Sequence, residues 1–160
     1  MSNPAAAGAL LGEVRATLNT ALQDLRELSR GLHPSGLAEH GLIAAFEELI
    51  WATPLPVALR CDVEGRLAES VESTAYYVAA ETLTNVAKHA EATRVCLDVH
   101  HRDAALVVIV TDDGRGGADP TAGTGLAGLA DRVHALGGTL NVVSPAGRGT
   151  TLTARLPCAS

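Results

Sequence analysis

Aromatic residues and positive charge are both scarce in this chain of 160 residues. It contains one Trp, two Tyr and one Phe, so its core must be built mainly from Leu, Val, Ile and Ala. We expect Trp51 and Phe46 to be core residues, and neither supports a stacking platform for bases. The 12 basic residues are outnumbered by 18 acidic ones, giving a net charge of -6. Because phosphate contacts need clustered Lys and Arg, this balance excludes a broad nucleic-acid-binding face.

Long apolar runs and paired cysteines are absent as well. No stretch approaches the roughly 20 apolar residues that cross a bilayer, and the N-terminus lacks a basic segment followed by a signal-like apolar run. The three cysteines, Cys61, Cys96 and Cys158, are odd in number and have no CxxC spacing. This disfavours a disulfide framework and a zinc site. We therefore expect a soluble, cytoplasmic chain with reduced thiols and no membrane contact.

The first 32 residues carry a heptad pattern. One apolar series recurs every seven residues and a second follows it three positions later: Leu11, Leu18, Leu25 and Leu32, with Val14, Ala21 and Leu28. The pattern predicts one long helix whose seam packs against a partner helix. His33-Pro34-Ser35-Gly36 is expected to end this helix, because proline disfavours helix in the residue before it and glycine frees the backbone to turn.

The rest of the chain alternates between helical and strand patterns. Apolar spacing predicts helices over residues 41–52 and 70–91, and a third one from Leu126 to the Gly137-Gly138 pair. Strands are expected over residues 57–63, 94–100, 104–111, 139–144 and 150–156. The predicted fold is an α/β (α+β) two-layer sandwich, in which a mixed, mainly antiparallel sheet carries helices on one face.

Three polar motifs are expected to surround one cleft. Glu81, Asn85 and His89 follow at steps of four on the 70–91 helix, adjacent to Lys88. Two glycine-rich turns come later, Asp112-Asp113-Gly114-Arg115-Gly116 after an apolar strand and Gly123-Thr124-Gly125-Leu126 before a helix. Each motif alone is more often a solvated helix face or a surface turn. Their joint occurrence predicts a nucleotide site.

The residue types suit that ligand. Asp112 can accept a hydrogen bond from an exocyclic amine, which selects adenine over guanine. Gly123 and Gly125 precede a helix whose free N–H groups favour phosphate, with Arg115, Lys88 and Arg132 as candidate counter-charges. Asn85 offers an amide oxygen to magnesium, and Glu81 could orient a water or the hydration shell of the metal.

These motifs resemble those of the ATPase superfamily of gyrase, heat-shock chaperones, sensor histidine kinases and mismatch-repair proteins. Asn85 with Glu81 resembles its asparagine box, Asp112-x-Gly114-x-Gly116 its first glycine box and Gly123-x-Gly125-Leu126 its second. Within the superfamily, roughly residues 20–157 look like the nitrate-sensor-type histidine kinases. The flanking matches are Leu32-His33-Pro34, Gly41-Leu42, Arg132-Val133, Leu136-Gly137-Gly138, Gly147-Arg148-Gly149-Thr150 and Leu156-Pro157.

The resemblance implies an ATP-binding fold with ATP and magnesium under a flexible loop near residues 114–124. Asn85 would carry magnesium, Asp112 would read adenine with help from Thr150 through water, and Gly114, Gly116, Gly123 and Gly125 would shape the lid. Glu81 matches the hydrolytic base of the superfamily, but histidine kinases transfer phosphate to histidine, so metal or water positioning is expected instead. The other expected cofactor-binding residues are Lys88, His89, Arg115, Thr124 and Leu126.

The phosphoacceptor of this family is a histidine followed by Asp or Glu, and none of the six histidines here has that neighbour. We therefore expect residues 1–32 to be the second helix of a dimerisation bundle, without the phosphoacceptor helix, and residues 33–160 to be the catalytic ATP-binding domain. The expected function is that of a two-component sensor histidine kinase, which forms a homodimer through the N-terminal helix and relays phosphate to a response regulator. This fragment should bind ATP without phosphorylating itself. An anti-sigma-type serine kinase and a non-catalytic dimerisation module remain alternatives.

Overall fold

A computed structural model of the chain describes residues 35–118 and 124–158. The predicted heptad helix over residues 1–32 and the glycine at position 123 lie outside these ranges. The elements in chain order are α1 (Ser35–Trp51), β1 (Val57–Asp62), α2 (Glu69–Asn85), a π-helix (Val86–Ala90), β2 (Val95–Arg102), β3 (Ala105–Asp112), α3 (Thr124–Ala135), β4 (Thr139–Val143) and β5 (Thr151–Pro157). No helix in the described ranges combines the length and the apolarity that a membrane crossing requires.

The strands form one sheet in the order β1-β2-β3-β5-β4. Strands β1 and β2 are parallel, and the other neighbouring pairs are antiparallel. Alternate residues of the central strands are buried on one face, where the helices pack: Leu97, Val99, Val108, Val110, Leu152 and Ala154. The expected two-layer sandwich with a mixed, mainly antiparallel sheet is confirmed.

Asp112 continues the buried face of β3. It lies two residues after Val110 and pairs with Val95 of β2 in the register of the two strands. Because side chains alternate across a strand, this places its carboxylate on the helix side, at the end of the sheet. Helix α2 crosses the same face over β3 and β5, so its C-terminal end meets the end of β3.

The start of α1 differs from the prediction. Gly36 lies within the helix, and the break falls at Gly41, where φ is 83° and ψ is -179°. Arg66 donates to the carbonyls of Leu37 and Ala38, each at 3.2 Å, and so satisfies acceptors that the break leaves unpaired. The guanidinium is held by the buried carboxylate of Glu72 at 2.9 Å. Helix α1 therefore begins at Ser35 and not at residue 41, with Arg66 stabilising the turns before the break. The expected end of the heptad helix at His33-Pro34 lies outside the described residues.

Of the two aromatic residues expected in the core, only Phe46 is buried, with 0% exposure. Trp51 is 90% exposed, so its assignment to the core is wrong. Trp51 lies five positions after Phe46 in the helix, which turns its side chain by about 140° around the helix axis. Trp51 is also the last residue of α1, after which the chain leaves the helix.

The three cysteines are free and half-buried. Burial raises the pKa of the Cys61 thiol, and the carboxylates of Asp62 and Asp98 raise it further. Cys61 is therefore held as a neutral thiol that packs against the core.

Candidate functional site

A cavity of about 370 Å³ lies between the C-terminal end of α2, the ends of β3 and β5, and the first turn of α3. Its lining contains eight of the residues expected from sequence: Asn85, His89, Asp112, Arg115, Gly116, Gly125, Leu126 and Thr150. Apolar walls are added by the side chains of Val86, Val142 and Leu152. The volume falls in the range of small-molecule sites, and the mix of apolar walls with a few polar groups is typical of them.

Asp112 places a buried carboxylate in this cavity. The side chain is 5% exposed, and its Oδ1 accepts a hydrogen bond from the backbone N–H of Gly114 at 2.8 Å. The backbone N–H of Asp112 donates to the carbonyl of Thr150 at 3.0 Å, which brings β5 alongside. Since Oδ2 accepts no hydrogen bond from the described residues, one acceptor remains for a ligand.

The glycines next to Asp112 allow a close approach of three chain segments. A Cβ on Gly114 would overlap the carbonyl oxygen of Ala90, and one on Gly149 would overlap that of Asp112. Gly149 also has a φ of +68°, and its N–H donates to the carbonyl of Gly114 at 2.7 Å. Glycine is required at both positions because the obstacles are backbone atoms, which cannot move aside as a flexible side chain can.

The segment after Gly114 is anchored on both sides. The N–H of Arg115 donates to the carbonyl of Ala90 at 2.8 Å, and the carbonyl of Arg115 accepts from Gly147 at 2.6 Å. The N–H of Gly117 donates to the carbonyl of Ser144 at 2.9 Å. The first glycine-rich turn is thus fixed between the π-helix and the β4–β5 turn.

Helix α2 changes its geometry beside the cavity. The predicted helix over 70–91 is α-helical to Asn85 and continues as a single π-helical segment, Val86–Ala90. The wider turn lets the carbonyl of Ala90 pair with Arg115, and Asn85 and His89 both line the cavity. Such π segments often occur at functional sites. Lys88 is exposed and does not line the cavity.

Glu81 lies one turn before Asn85 and faces the first turn of α3. A Cβ on Gly125 would come within 2.6 Å of Glu81 Oε1, so the missing side chain of Gly125 makes room for this carboxylate. An acidic group is favourable at a helix N-terminus, where N–H groups lack helical partners. Glu81 is therefore at the rim of the cavity, on the helix face that was predicted.

The second aspartate of the first glycine-rich turn has a different environment. Asp113 accepts from the hydroxyl and the N–H of Thr93 at 2.7 and 2.8 Å, and from the N–H of Arg94 at 3.1 Å. These hydrogen bonds, those from Thr93 foremost, lower the pKa of Asp113 to about 2. Asp113 therefore holds the turn between the π-helix and β2, and it faces away from the cavity.

The remaining candidates lie outside the cavity lining. Gly114 is buried behind Asp112, and residue 124 begins α3. The guanidinium of Arg132 lies 4.6 Å from the ring centre of Tyr77, a cation–π contact that is separate from the cavity. Sequence reasoning missed seven residues of the lining: Thr82, Val86, Ala90, Gly117, Ala118, Val142 and Leu152. Val142 and Leu152 are paired across β4 and β5, so only the strand register could have found them.

Comparisons with known proteins agree with this geometry. Residues 70–160 match the family described as histidine kinase-, DNA gyrase B- and HSP90-like ATPases. The chain is 30% identical over 151 residues to the sensor histidine kinase MctS of Rhizobium johnstonii, covering 88% of this chain and 32% of that protein. It is 29% identical over 153 residues to the oxygen sensor histidine kinase NreB of Staphylococcus carnosus, covering 90% of this chain and 44% of that protein. The chain thus spans less than half the length of these relatives.

Solved structures show the same fold. The blue-light activated histidine kinase EL346 of Erythrobacter litoralis has a TM-score of 0.64 and 24% identity, over 74% of this chain and 41% of that one. The ATP binding domain of PrrB from Mycobacterium tuberculosis has a TM-score of 0.59 and 23% identity, over 72% of this chain and 90% of that one. The chain therefore belongs to the family of histidine kinase-, DNA gyrase B- and HSP90-like ATPases, as an ATPase domain of the histidine kinase type.

Proposed function

We propose that this chain is the ATP-binding catalytic domain of a two-component sensor histidine kinase. It transfers the γ-phosphate of ATP to a histidine on a helix outside this chain, for relay to a response regulator. The observation that carries the proposal is the buried carboxylate of Asp112, which keeps one acceptor oxygen in a cavity lined by Asn85. The relatives are sensor histidine kinases, which favours a histidine acceptor over the serine of an anti-sigma-type kinase.

The base of the nucleotide binds against Asp112. The N6 amine of adenine donates to Oδ2, while Thr150 assists from the neighbouring strand through water. Val142 and Leu152 contact the flat faces of the ring from the sheet side of the cavity. Guanine would place a carbonyl oxygen against the carboxylate, so Asp112 rejects it.

The phosphates lie toward the first turn of α3. Thr124, Gly125 and Leu126 form that turn, and Gly114, Gly116 and Gly123 shape the loop that covers the phosphates. The N-terminus of α3 and the guanidinium of Arg115 offset the phosphate charge, and His89 lines the same cavity. The exposed Lys88 adds its positive charge from outside the lining. Arg115 also lies 3.5 Å from the exposed carboxylate of Glu91.

The residues of the cavity fit a magnesium ion that comes with ATP. The described residues bring together no group of three or more His, Cys, Asp or Glu that could hold a resident metal. Magnesium bound to a nucleotide takes most of its ligands from phosphate and water, so the amide oxygen of Asn85 suffices as the protein ligand. Glu81, one turn away, would position a water bound to the ion, and magnesium would neutralise charge on the phosphates.

Isothermal titration calorimetry with ATP and magnesium tests the proposal. We expect ATP to bind, GTP to bind at least about ten-fold more weakly, and affinity to fall when magnesium is chelated. After incubation with γ-labelled ATP, the chain should carry no stable phosphohistidine, because the acceptor helix is outside it. Absence of ATP binding, or equal affinity for GTP, would contradict the proposal.

We propose further that the domain works in the cytoplasm. The N-terminal helix supplies the dimer contact of the whole protein. The heptad seam of residues 11–32 supports this part of the proposal. Light scattering of the chain with Leu18→Glu and Leu25→Glu should show a monomer that still binds ATP. A dimer that survives both substitutions would place the contact elsewhere.

A further inference from the structure

Ser144 occupies a junction that no motif in the sequence indicates. It follows β4, is half-buried, and its Oγ lies 2.9 Å from Thr150 Oγ1. The same Oγ accepts a hydrogen bond from the N–H of Ala118 at 2.9 Å. Ser144 does not line the cavity itself, whereas Thr150 and Ala118 do. One hydroxyl thus contacts both Thr150, on the base side of the site, and Ala118, just after the first glycine-rich turn.

Either hydroxyl of this pair can donate, and a count of protons favours Ser144 as the donor. A serine hydroxyl has one proton to donate and two lone pairs. The N–H of Ala118 can only donate, so it occupies a lone pair of Ser144 Oγ. The one acceptor left among the described residues near that oxygen is Thr150 Oγ1. If Thr150 were the donor instead, the Ser144 proton would be left to solvent, since no other acceptor lies near it among the described residues.

We propose that Ser144 is a positioning residue for base recognition: by donating to Thr150, it leaves the Thr150 proton as a hydrogen-bond donor toward the cavity. The inference rests on the proposed function, since it concerns the base of the bound ATP. Adenine presents an acceptor, N1, beside its donor amine, so it matches a donor at Thr150 beside the acceptor at Asp112, directly or through one water. Guanine presents an acceptor oxygen on C6 and a donor N1–H at these two positions, the opposite of adenine. Ser144 therefore adds to the adenine specificity that Asp112 provides.

The test compares ATP with 1-deaza-ATP, in which N1 is replaced by C–H. The affinity of the full chain is measured for both nucleotides. The control analogue is 7-deaza-ATP, which keeps N1. One lost hydrogen bond should weaken binding of 1-deaza-ATP by roughly five-fold in the wild type, and 7-deaza-ATP should bind as ATP does. In Ser144→Ala, Thr150 keeps its proton but loses the partner that holds the hydroxyl in its orientation toward the cavity. ATP should therefore weaken by a similar factor, and the ratio between ATP and 1-deaza-ATP should fall to within about two-fold.

Two further variants separate this role from simple anchoring of the loop. Ser144→Thr keeps the hydroxyl and should restore the affinity ratio between ATP and 1-deaza-ATP. Thr150→Val should abolish this ratio, and it can be measured even if Ser144→Ala does not fold. If Ser144 only anchors Ala118, Ser144→Ala will weaken both nucleotides equally and keep the ratio, which overturns the inference. If the wild type binds ATP and 1-deaza-ATP equally well, the inference about Ser144 is also overturned, while the ATPase assignment stands. A wild type that binds neither contradicts the proposed function itself.

Discussion

Replacing Asp112 with asparagine exchanges one carboxylate oxygen for an NH₂ group at almost constant shape. The orientation of the new amide is set by Gly114, whose N–H donates to Oδ1 of Asp112 at 2.8 Å. The amide oxygen must take that position, because the reverse orientation would set NH₂ against N–H. The variant therefore turns its NH₂ group toward the cavity, where wild-type Asp112 offers an acceptor.

The magnitude follows from the hydrogen bond that is lost. Adenine presents its own amine at this position, so two donors face each other in the variant. A hydrogen bond to a charged group contributes about 1.5–3 kcal/mol. At 1.4 kcal/mol per factor of ten, ATP affinity should fall by roughly 10- to 150-fold. The 6-keto oxygen of guanine can accept from the new NH₂ group, so the preference for ATP over GTP should fall further than the ATP affinity does.

Calorimetric titration with ATP and with GTP measures both effects. The matched control is Asp113→Asn, the same chemical change in the next residue, whose carboxylate binds Thr93 and Arg94 away from the cavity. This control should bind ATP within about three-fold of the wild type. The reasoning is refuted if Asp112→Asn also stays within that limit while it remains folded by circular dichroism, or if its ATP to GTP ratio does not change.

Gly125→Ala should leave the unfolding free energy almost unchanged, since only the flexible end of the Glu81 side chain has to move, but it should weaken binding of ATP with magnesium several-fold in titration calorimetry. Unchanged affinity would argue against a role of Glu81 in positioning magnesium. Phe46→Ala should lower the free energy of unfolding in urea by about 3–5 kcal/mol, because the ring is fully buried, whereas Trp51→Ala should change it by no more than about 0.5 kcal/mol. Equal losses would argue against the orientation of this helix. The carboxylate of Asp113 has its pKa lowered from 3.8 to about 2 in the folded state, so the stability that it contributes is complete above about pH 4 and is lost as the pH falls toward 2. Thermal melting between pH 5 and 2 should therefore decline more steeply in the wild type than in Asp113→Asn, and superimposable profiles would contradict this.

The strands were predictable because their signal is local. Alternation in β2 and β5 and the apolar run of β3 place these strands within one or two residues of their observed ends. Helix ends were less predictable, because distant residues decide them. The side chain of Arg66, 28 residues from Ala38, supports the first turns of α1 up to Gly41. The exposure of Trp51 depends likewise on which side of α1 meets the core, and apolar character alone does not reveal that side.

The sequence by itself determined which residue types surround the site: an aspartate at a strand end, an asparagine on a helix and glycines at two turns. Only the tertiary structure decided which role each of two adjacent residues has. Asp112 faces the cavity and Asp113 holds a neighbouring turn, although both belong to one motif. Ser144 and Thr150 meet beside the glycine-rich loop through the β4–β5 turn. The physical reason is that a motif records spacing along the chain, whereas hydrogen-bond partners are set by strand register and burial between distant segments.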